Sequence, residues 1–166
     1  MYDLHAHILP GVDDGAKTPE DTVAMARVGS ESGTRVILCT PHRRDITENW
    51  SVDYVRALLD RMNSLIQKDD IQLSLKLGME NHLDLALAAD VQAGKALPMN
   101  GSRYILVELD FFQYPSFTDE VIFQLQIMGL TPVIAHPERQ AQLQANPGLL
   151  VPLIANAVFR CSLCFG

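Results

Sequence analysis

Five short apolar runs alternate with helix-like stretches along this chain, and that alternation restricts the fold more than any other feature of the sequence. One run, Arg35–Thr40, is nearly continuous in apolar residues, which is typical of a strand buried on both faces of a parallel sheet. The predicted strands are Tyr2–Leu4, Arg35–Thr40, Leu73–Leu77, Tyr104–Val107 and Pro132–Ala135. The alternation of strands and helices predicts an α/β fold with a parallel sheet, either open or closed into a barrel.

The helix-like stretches between the strands carry recognisable start and stop signals. Thr18 is placed as an N-cap, Pro19 occupies the first helical position, and Gly33 supplies a stop. The predicted helices run from about Pro19 to Ser32, Val52 to Lys68, Leu83 to Ala93, Asp119 to Met128 and Pro147 to Ala157. Because no repeat, linker or low-complexity segment interrupts this order, the sequence predicts one domain over residues 1–166 with about five βα units.

Composition excludes several classes of protein. With 166 residues, of which 48% are hydrophobic and 20% charged, the chain is expected to form one core. The formal net charge of −7 is spread along the chain, which argues against nucleic acid as a general partner. No apolar run approaches the roughly 20 residues of a membrane span. Polar residues occupy the region where a secretory signal would be apolar, and three cysteines make no disulfide framework, so a reduced, cytoplasmic location is expected.

The N-terminal stretch has the pattern of half a metal site. His5 and His7 point to the same face if the first strand ends there, because side chains alternate along a strand. Asp13 and Asp14 follow in a turn rich in proline and glycine that can fold back over that face. Histidine is the commonest metal ligand, and the alternative is a solvent-exposed, histidine-rich N-terminus.

Metal-competent residues also recur at the other predicted strand ends. Together with the N-terminal pair, these are His5, His7, His42, Glu80, Glu108 and His136, whereas His82 falls two residues beyond a strand end. Active sites of β/α barrels and of open α/β sheets collect at this edge. A mixture of imidazoles and carboxylates suits zinc, manganese or iron, and more than four ligands imply more than one ion. Metal ions about 3.5–4 Å apart serve the hydrolysis of phosphate esters.

Three arginines flank the predicted edge. Arg139 follows His136 by three residues, and Arg43 and Arg44 follow His42 directly. Guanidinium groups bind phosphate through two parallel hydrogen bonds, so these arginines favour an anionic ligand. For Arg43 and Arg44, a solvated loop is an equally good interpretation.

Other conspicuous residues are interpreted as structural. Cys39 lies inside a predicted buried strand and is expected in the core, and Cys161 and Cys164 lack the second pair that a zinc site needs. An aromatic cluster follows Glu108 and could stack on an aromatic substrate, although core packing is the simpler expectation. Its members are Phe111, Phe112, Tyr114 and Phe117. The sequence contains no serine nucleophile elbow and no phosphate-binding P-loop.

Four motifs together resemble the polymerase and histidinol phosphatase (PHP) superfamily. They are Asp3-Leu4-His5-Ala6-His7 with its continuation to Gly15, Cys39-Thr40-Pro41-His42, Gly78-Met79-Glu80 and Ala135-His136-Pro137-Glu138-Arg139. In order and spacing the resemblance covers about Met1 to Leu153. The closest branch is similar to bacterial manganese-dependent protein-tyrosine phosphatases that act in capsule and exopolysaccharide regulation.

The resemblance implies a distorted, TIM-like β/α barrel with two or three metal ions, usually manganese. By position, the implied metal ligands are His5, His7, Asp14, His42, Glu80, Glu108 and His136. Arg139 matches a phosphate-binding residue, and His42 and His136 join it as candidate catalytic residues. The implied substrate is a phosphotyrosine protein, the tyrosine-rich tail of a tyrosine autokinase. Zinc or iron are alternative metals.

The chain departs from the PHP pattern at its end. Family members continue and bring an Asp-x-His pair, whereas this sequence stops at Gly166 after an apolar, cysteine-containing stretch. We therefore expect an incomplete barrel, with open sheet edges that make aggregation or homo-oligomerisation a hazard. Three hypotheses follow: a metal-dependent tyrosine phosphatase of reduced activity, an inactive or weakly metal-binding fragment of that fold, and a small-molecule phosphatase of the histidinol-phosphatase type.

Overall fold

A computed structural model of the chain describes residues 1–151 and the backbone of residues 159–161. Seven strands and six α-helices occur in this part of the chain. In order they are β1 Tyr2–Ala6, α1 Pro19–Glu31, β2 Val36–Cys39, α2 Arg43–Asn49, α3 Val52–Lys68, β3 Ser74–Leu77, β4 Glu80–His82, α4 Leu87–Gln92, β5 Tyr104–Glu108, α5 Thr118–Ile127, β6 Thr131–Ala135, α6 Ala141–Ala145 and β7 Phe159–Cys161. None of the described helices is long and apolar enough to cross a bilayer.

The chain divides by its internal contacts into two compact units, residues 1–79 and 80–166. The first unit contains a three-stranded sheet in the order β1-β2-β3, with both pairs parallel. Helix α3 packs on this sheet through a stripe at three- and four-residue spacing, as its amphipathic sequence predicts. The stripe consists of Val55, Leu58, Met62 and Ile66, all buried.

Helix α1 begins as its sequence signals predict. The hydroxyl of Thr18 accepts a hydrogen bond from the backbone N–H of Asp21, and the Asp21 carboxylate accepts one from the backbone N–H of Thr18. This capping box satisfies two of the donors that a helix N-terminus leaves unpaired, and Pro19 occupies the first position. The helix buries only Thr22 and Ala26, and its Val28 side chain is exposed.

The second unit contains a four-stranded sheet in the order β4-β5-β6-β7, again parallel throughout. Its core lies between this sheet and α4, α5 and α6, and it includes Leu87, Ile105, Leu125, Ile134 and Leu143. Parallel strands place their carboxyl ends at one edge, so Glu108 and the residue after β6 come together there.

The α/β class and the parallel pairing are confirmed, but several local predictions are wrong. Glu80 was expected at the tip of the third strand, but β3 ends at Leu77 and Glu80 begins a separate short strand, β4. His82 therefore lies at the end of a strand and not beyond one. The helix predicted from Leu83 begins only at Leu87. The stretch after His42 is helical (α2) and not an irregular polar connection.

The predicted last helix, Pro147–Ala157, begins with a 3₁₀ turn at Pro147–Leu149, and Leu150 and Val151 continue it as helix. Residues 152–157 of that helix and Cys164 lie outside the described residues. The short helix α6, Ala141–Ala145, precedes it and was not predicted. The described strands form two sheets, neither of them closed, so the predicted barrel is not confirmed, and the single-domain organisation stays a prediction.

Candidate metal centre

The first unit gathers three of its predicted ligands at the carboxyl ends of β1 and β2. One donor atom each from His7, Asp14 and His42 lies within 4.8 Å of the others. Nε2 of His42 is 3.6 Å from Oδ1 of Asp14, and the rings of His7 and His42 are 4.6 Å apart. His5 is buried on the same strand, with its ring 5.4 Å from that of His7. These four residues are the first-unit cluster.

The loop after β1 brings the aspartates back over the histidine pair. The backbone N–H of Ala16 donates to the carbonyl of His7 at 3.0 Å, and that of Gly11 donates to the carbonyl of Ala16 at 2.8 Å. Gly15 passes so close to His7 that a Cβ atom there would lie 1.9 Å from the His7 carbonyl oxygen. Only glycine fits, which explains the Asp-Asp-Gly order of the turn.

Asp13, which was not among the predicted ligands, orients one of them. Its Oδ2 atom lies 2.7 Å from Nδ1 of His7, its Oδ1 accepts the backbone N–H of Gly15 at 3.0 Å, and its side chain is 1% exposed. Burial alone raises the pKa of this carboxyl, but the bonds from His7 and Gly15 and the charges of His7 and His42 hold the pKa below its usual value. The ionised carboxylate accepts the Nδ1 proton, which leaves Nε2 of His7 for a metal.

The second unit gathers the other predicted ligands around His136. Its Nε2 atom lies 2.7 Å from Oε1 of Glu80 and 3.6 Å from Oε1 of Glu108, and all three residues are buried. Buried acids need a compensating partner, and a cation shared by carboxylate and imidazole supplies one. Glu80, Glu108 and His136 are the second-unit cluster.

His136 is held in a sparsely populated backbone conformation. Its φ is 27° and its ψ is 56°, in the left-handed region that non-glycine residues rarely adopt. The 3₁₀ turn Pro137–Arg139 follows directly, and the N–H of Arg139 donates to the carbonyl of His136 at 2.9 Å. Such strain persists where the surrounding structure requires one side-chain direction, and it is common at functional sites.

His82 is a second residue that sequence reasoning did not assign to the site. It pairs with Glu108 in the β4–β5 register, and its Nδ1 atom lies 3.7 Å from Oε2 of that residue. The signal was present in the sequence as a metal-competent residue two positions after Glu80. It was missed because Glu-Asn-His has no apolar residue to indicate a strand.

Arg139 stacks on Phe111, whose ring lies next to His136 of the second-unit cluster. Its guanidinium carbon is 4.6 Å from the centre of the Phe111 ring, and that ring is 5.6 Å from the His136 ring. Arg139 itself is exposed, so its charged head is accessible to an anion. Of the predicted aromatic wall, Phe111 makes this contact, Tyr114 and Phe117 pack against the core, and Phe112 is 79% exposed.

The degree of burial distinguishes the remaining candidate residues, Arg43, Arg44 and Cys39. Arg43 is buried at the start of α2, which argues against the solvated-loop interpretation for it, whereas Arg44 is exposed. Cys39 is fully buried, and burial raises the pKa of its thiol far above the usual value, so it belongs to the core as predicted.

Comparison with known proteins gives three consistent matches. Residues 1–158 match the family model for capsular polysaccharide synthesis, CpsB/CapC. Tyrosine-protein phosphatase YwqE of Bacillus subtilis (strain 168) is 36% identical over 154 residues, 93% of this chain and 61% of that protein. Tyrosine-protein phosphatase CpsB of Streptococcus pneumoniae is 27% identical over 146 residues, 88% of this chain and 60% of that protein.

A solved structure agrees with these sequence matches. It comes from crystal structures of YwqE from Bacillus subtilis and CpsB from Streptococcus pneumoniae, described as unique metal-dependent tyrosine phosphatases. It superimposes with a TM-score of 0.89 at 35% identity, over 96% of this chain and 65% of the other. The chain therefore spans about three fifths of the length of the curated relatives it matches.

Proposed function

The chain belongs to the CpsB/CapC family of capsular polysaccharide synthesis, and from that premise we propose that it is a metal-dependent protein-tyrosine phosphatase. The relatives named tyrosine-protein phosphatase support this reaction class. The single observation that carries the proposal is the buried contact between His136 and Glu80 beside Glu108. A buried imidazole beside two carboxylates offers the nitrogen and oxygen donors that divalent cations bind.

The proposed metal ligands are the seven residues that the PHP resemblance implies. They are His5, His7, Asp14, His42, Glu80, Glu108 and His136, with manganese as the proposed ion and zinc or iron as alternatives. The donor atoms of the first-unit cluster fit a cation, since three of them already lie within 4.8 Å of one another. Bound divalent ions supply hydroxide at neutral pH and neutralise charge on phosphoryl oxygens.

The protein's own side chains bind and orient the phosphate ester. Arg139, exposed beside His136, donates N–H groups to the phosphoryl oxygens, and Phe111 under its guanidinium restricts the directions it can take. His42 is partly exposed and is the proposed group of the first unit that contacts the reacting phosphate, with His136 in that role in the second. The leaving phenolate departs readily because phenols ionise at about pH 10.

The proposed substrate is the phosphorylated tyrosine-rich tail of a bacterial tyrosine autokinase that controls capsule or exopolysaccharide synthesis. The PHP resemblance suggests the autokinase tail, and the match to a family of capsular polysaccharide synthesis supports the link to capsule synthesis. A cytoplasmic location is a further part of the proposal. The resemblance supports the barrel as part of the proposal, and the open edges of the two described sheets support a homo-oligomer, which sedimentation velocity measures. Neither nucleic acid nor a membrane is a proposed partner.

The experiment is hydrolysis of p-nitrophenyl phosphate by the purified chain with and without manganese. We expect turnover that requires the metal, is abolished by a chelator, returns on adding manganese, and is lost in His136→Ala. Glu48→Ala, which removes an exposed side chain of α2, is the matched control and keeps full activity. Turnover that a chelator leaves unchanged contradicts the proposal.

Two other outcomes identify the alternative functions. Metal binding and cooperative folding without turnover indicate a metal-binding fragment of this fold. Faster hydrolysis of histidinol phosphate than of phosphotyrosine peptides indicates the small-molecule phosphatase. We expect slower turnover than that of a longer homologue at equal manganese concentration.

A further inference from the structure

An open pocket of about 500 Å³ adjoins the first-unit cluster. Two segments line it: the loop Gly11–Asp14, and the helix α2 with the residue that follows it, through Asp45, Asn49 and Trp50. Asp14 belongs to both the pocket lining and the first-unit cluster, so the pocket is adjacent to the proposed metal ligands.

Trp50 of the pocket lining is part of an aromatic platform, the stacked rings of Trp50 and Tyr54. The Trp50 ring stacks on Tyr54 with centroids 4.7 Å apart and an interplanar angle of 12°. Both side chains remain accessible, with Trp50 41% and Tyr54 44% exposed. The backbone N–H of Trp50 donates to the backbone carbonyl of Ile46 at 2.9 Å, which holds the Trp50 backbone at the end of α2. Aromatic side chains held rigidly at a surface are typical of ligand contacts.

The charged residues that line the pocket with Trp50 are all acidic: Asp13, Asp14 and Asp45. Asp45 and Asn49 are four residues apart on α2 and share one face of the helix. The Asp45 carboxylate forms no hydrogen bond or ion pair with any residue in the described part of the chain, and it is half-buried. Lys17, a cation on the neighbouring loop, donates instead to the backbone carbonyl of Asp13 at 3.1 Å. The side chain of Asp14 is 78% exposed.

We propose that this pocket binds a lysine or arginine side chain that flanks the phosphotyrosine of the protein substrate. The proposal rests on the proposed function and adds a sequence preference to it. The aromatic ring of Trp50 attracts a cation through its quadrupole, and the carboxylate of Asp45 in the same lining forms an ion pair with that cation. The pocket therefore selects substrates by a residue other than the phosphotyrosine itself.

The kinetic test compares phosphotyrosine peptides that differ at one flanking position. Arginine, alanine or glutamate is placed in turn at each of the three positions before and after phosphotyrosine. In at least one position arginine raises kcat/KM over alanine by about three- to tenfold, and glutamate lowers it. Trp50→Leu and Asp45→Asn remove the preference, whereas Trp50→Phe retains it. All variants keep the wild-type rate on p-nitrophenyl phosphate, which has no flanking residue.

Asp53→Asn is the matched control for Asp45→Asn. It removes one exposed carboxylate from the first turn of α3 and does not line the pocket. We expect it to leave the arginine preference unchanged. Absence of any arginine preference in the wild-type protein, or a preference that survives both Trp50→Leu and Asp45→Asn, overturns the proposal.

A binding measurement separates this inference from the enzymatic proposal. Trp50 is the single tryptophan of the chain, so intrinsic fluorescence reports on the pocket directly. An unphosphorylated arginine peptide changes that fluorescence saturably in the wild-type protein and in Asp53→Asn, and its Kd rises about three- to tenfold in Asp45→Asn. Binding without hydrolysis of any phosphotyrosine peptide refutes the phosphatase and supports the pocket. Hydrolysis without such binding refutes the pocket alone.

Discussion

Nδ1 of His7 lies 2.7 Å from Oδ2 of Asp13, and the Asp13 side chain is 1% exposed. A carboxylate can only accept in this contact, so it determines which nitrogen of His7 carries the proton. The same loop places Oδ1 of Asp14 3.7 Å from Nδ1 of His7 and 3.6 Å from Nε2 of His42. Asp13 therefore orients the predicted ligand His7, and its neighbour Asp14 is itself a predicted ligand.

Replacing Asp13 should weaken metal binding without removing a ligand. In Asp13→Ala the His7 ring loses its fixed tautomer and direction, and we expect the Kd for manganese to rise about 10–100-fold. Asp13→Asn keeps a hydrogen-bond acceptor, so its Kd for manganese should lie between those of the wild type and Asp13→Ala. Isothermal titration with manganese measures the change, and Asp60→Asn, an exposed carboxylate on α3, is the control. An unchanged Kd in Asp13→Ala contradicts an orienting role.

The lowered pKa of Asp13 predicts a pH-dependent contribution to stability. A carboxyl whose pKa is lower in the folded than in the unfolded protein stabilises the fold above its unfolded pKa, here near 3.8, and loses that contribution as the pH falls through the lower folded value. Urea unfolding of the metal-free protein should therefore show wild type more stable than Asp13→Asn at pH 6, with the difference shrinking below about pH 4. A difference independent of pH argues that the charge of Asp13 is irrelevant to folding.

Gly15 should tolerate no side chain. A Cβ atom there would lie 1.9 Å from the carbonyl oxygen of His7, which is backbone and cannot move aside cheaply. We expect Gly15→Ala to lower the free energy of unfolding by about 1–3 kcal/mol and to weaken manganese binding, since the loop must shift.

Gly29→Ala is the matched control for this substitution. Its added Cβ meets side-chain carbons of Ile37 and Leu73 at 3.4 Å, and alanine favours the helix in which Gly29 lies. Urea unfolding should find it as stable as the wild type or more so. Equal destabilisation by both substitutions refutes the close approach at Gly15.

The sequence predicted elements best where one local signal was strong. Helix α3 was predicted at Val52–Lys68 and observed there, because its apolar stripe is long and a capping serine precedes it. Helix α2 has only seven residues, and its burial of Arg43 and Ile46 is decided by tertiary packing. A pattern of that length cannot be distinguished from a polar loop.

The candidate site was predictable in residue type but not in arrangement. Strand periodicity placed Glu108 and His136 at the ends of β5 and β6, where the structure has them. Glu80 was assigned to the end of β3, yet it begins β4 and still approaches His136 within 2.7 Å. The side-chain contact of Asp13 with His7 depends on how the loop folds back, which no periodicity encodes.

Arg139 should act on the phosphate and not on the metal. Its guanidinium stacks on Phe111 and is exposed beside His136, so Arg139→Ala should lower kcat/KM for p-nitrophenyl phosphate about a hundredfold while the Kd for manganese stays within twofold of the wild type. Arg139→Lys keeps the charge but loses the planar fork and should recover only part of the rate. Arg103→Ala is the control, because Arg103 also stacks on an aromatic ring, that of Tyr104 at 5.2 Å. Loss of manganese binding in Arg139→Ala, or a full rate in that variant, contradicts the assignment.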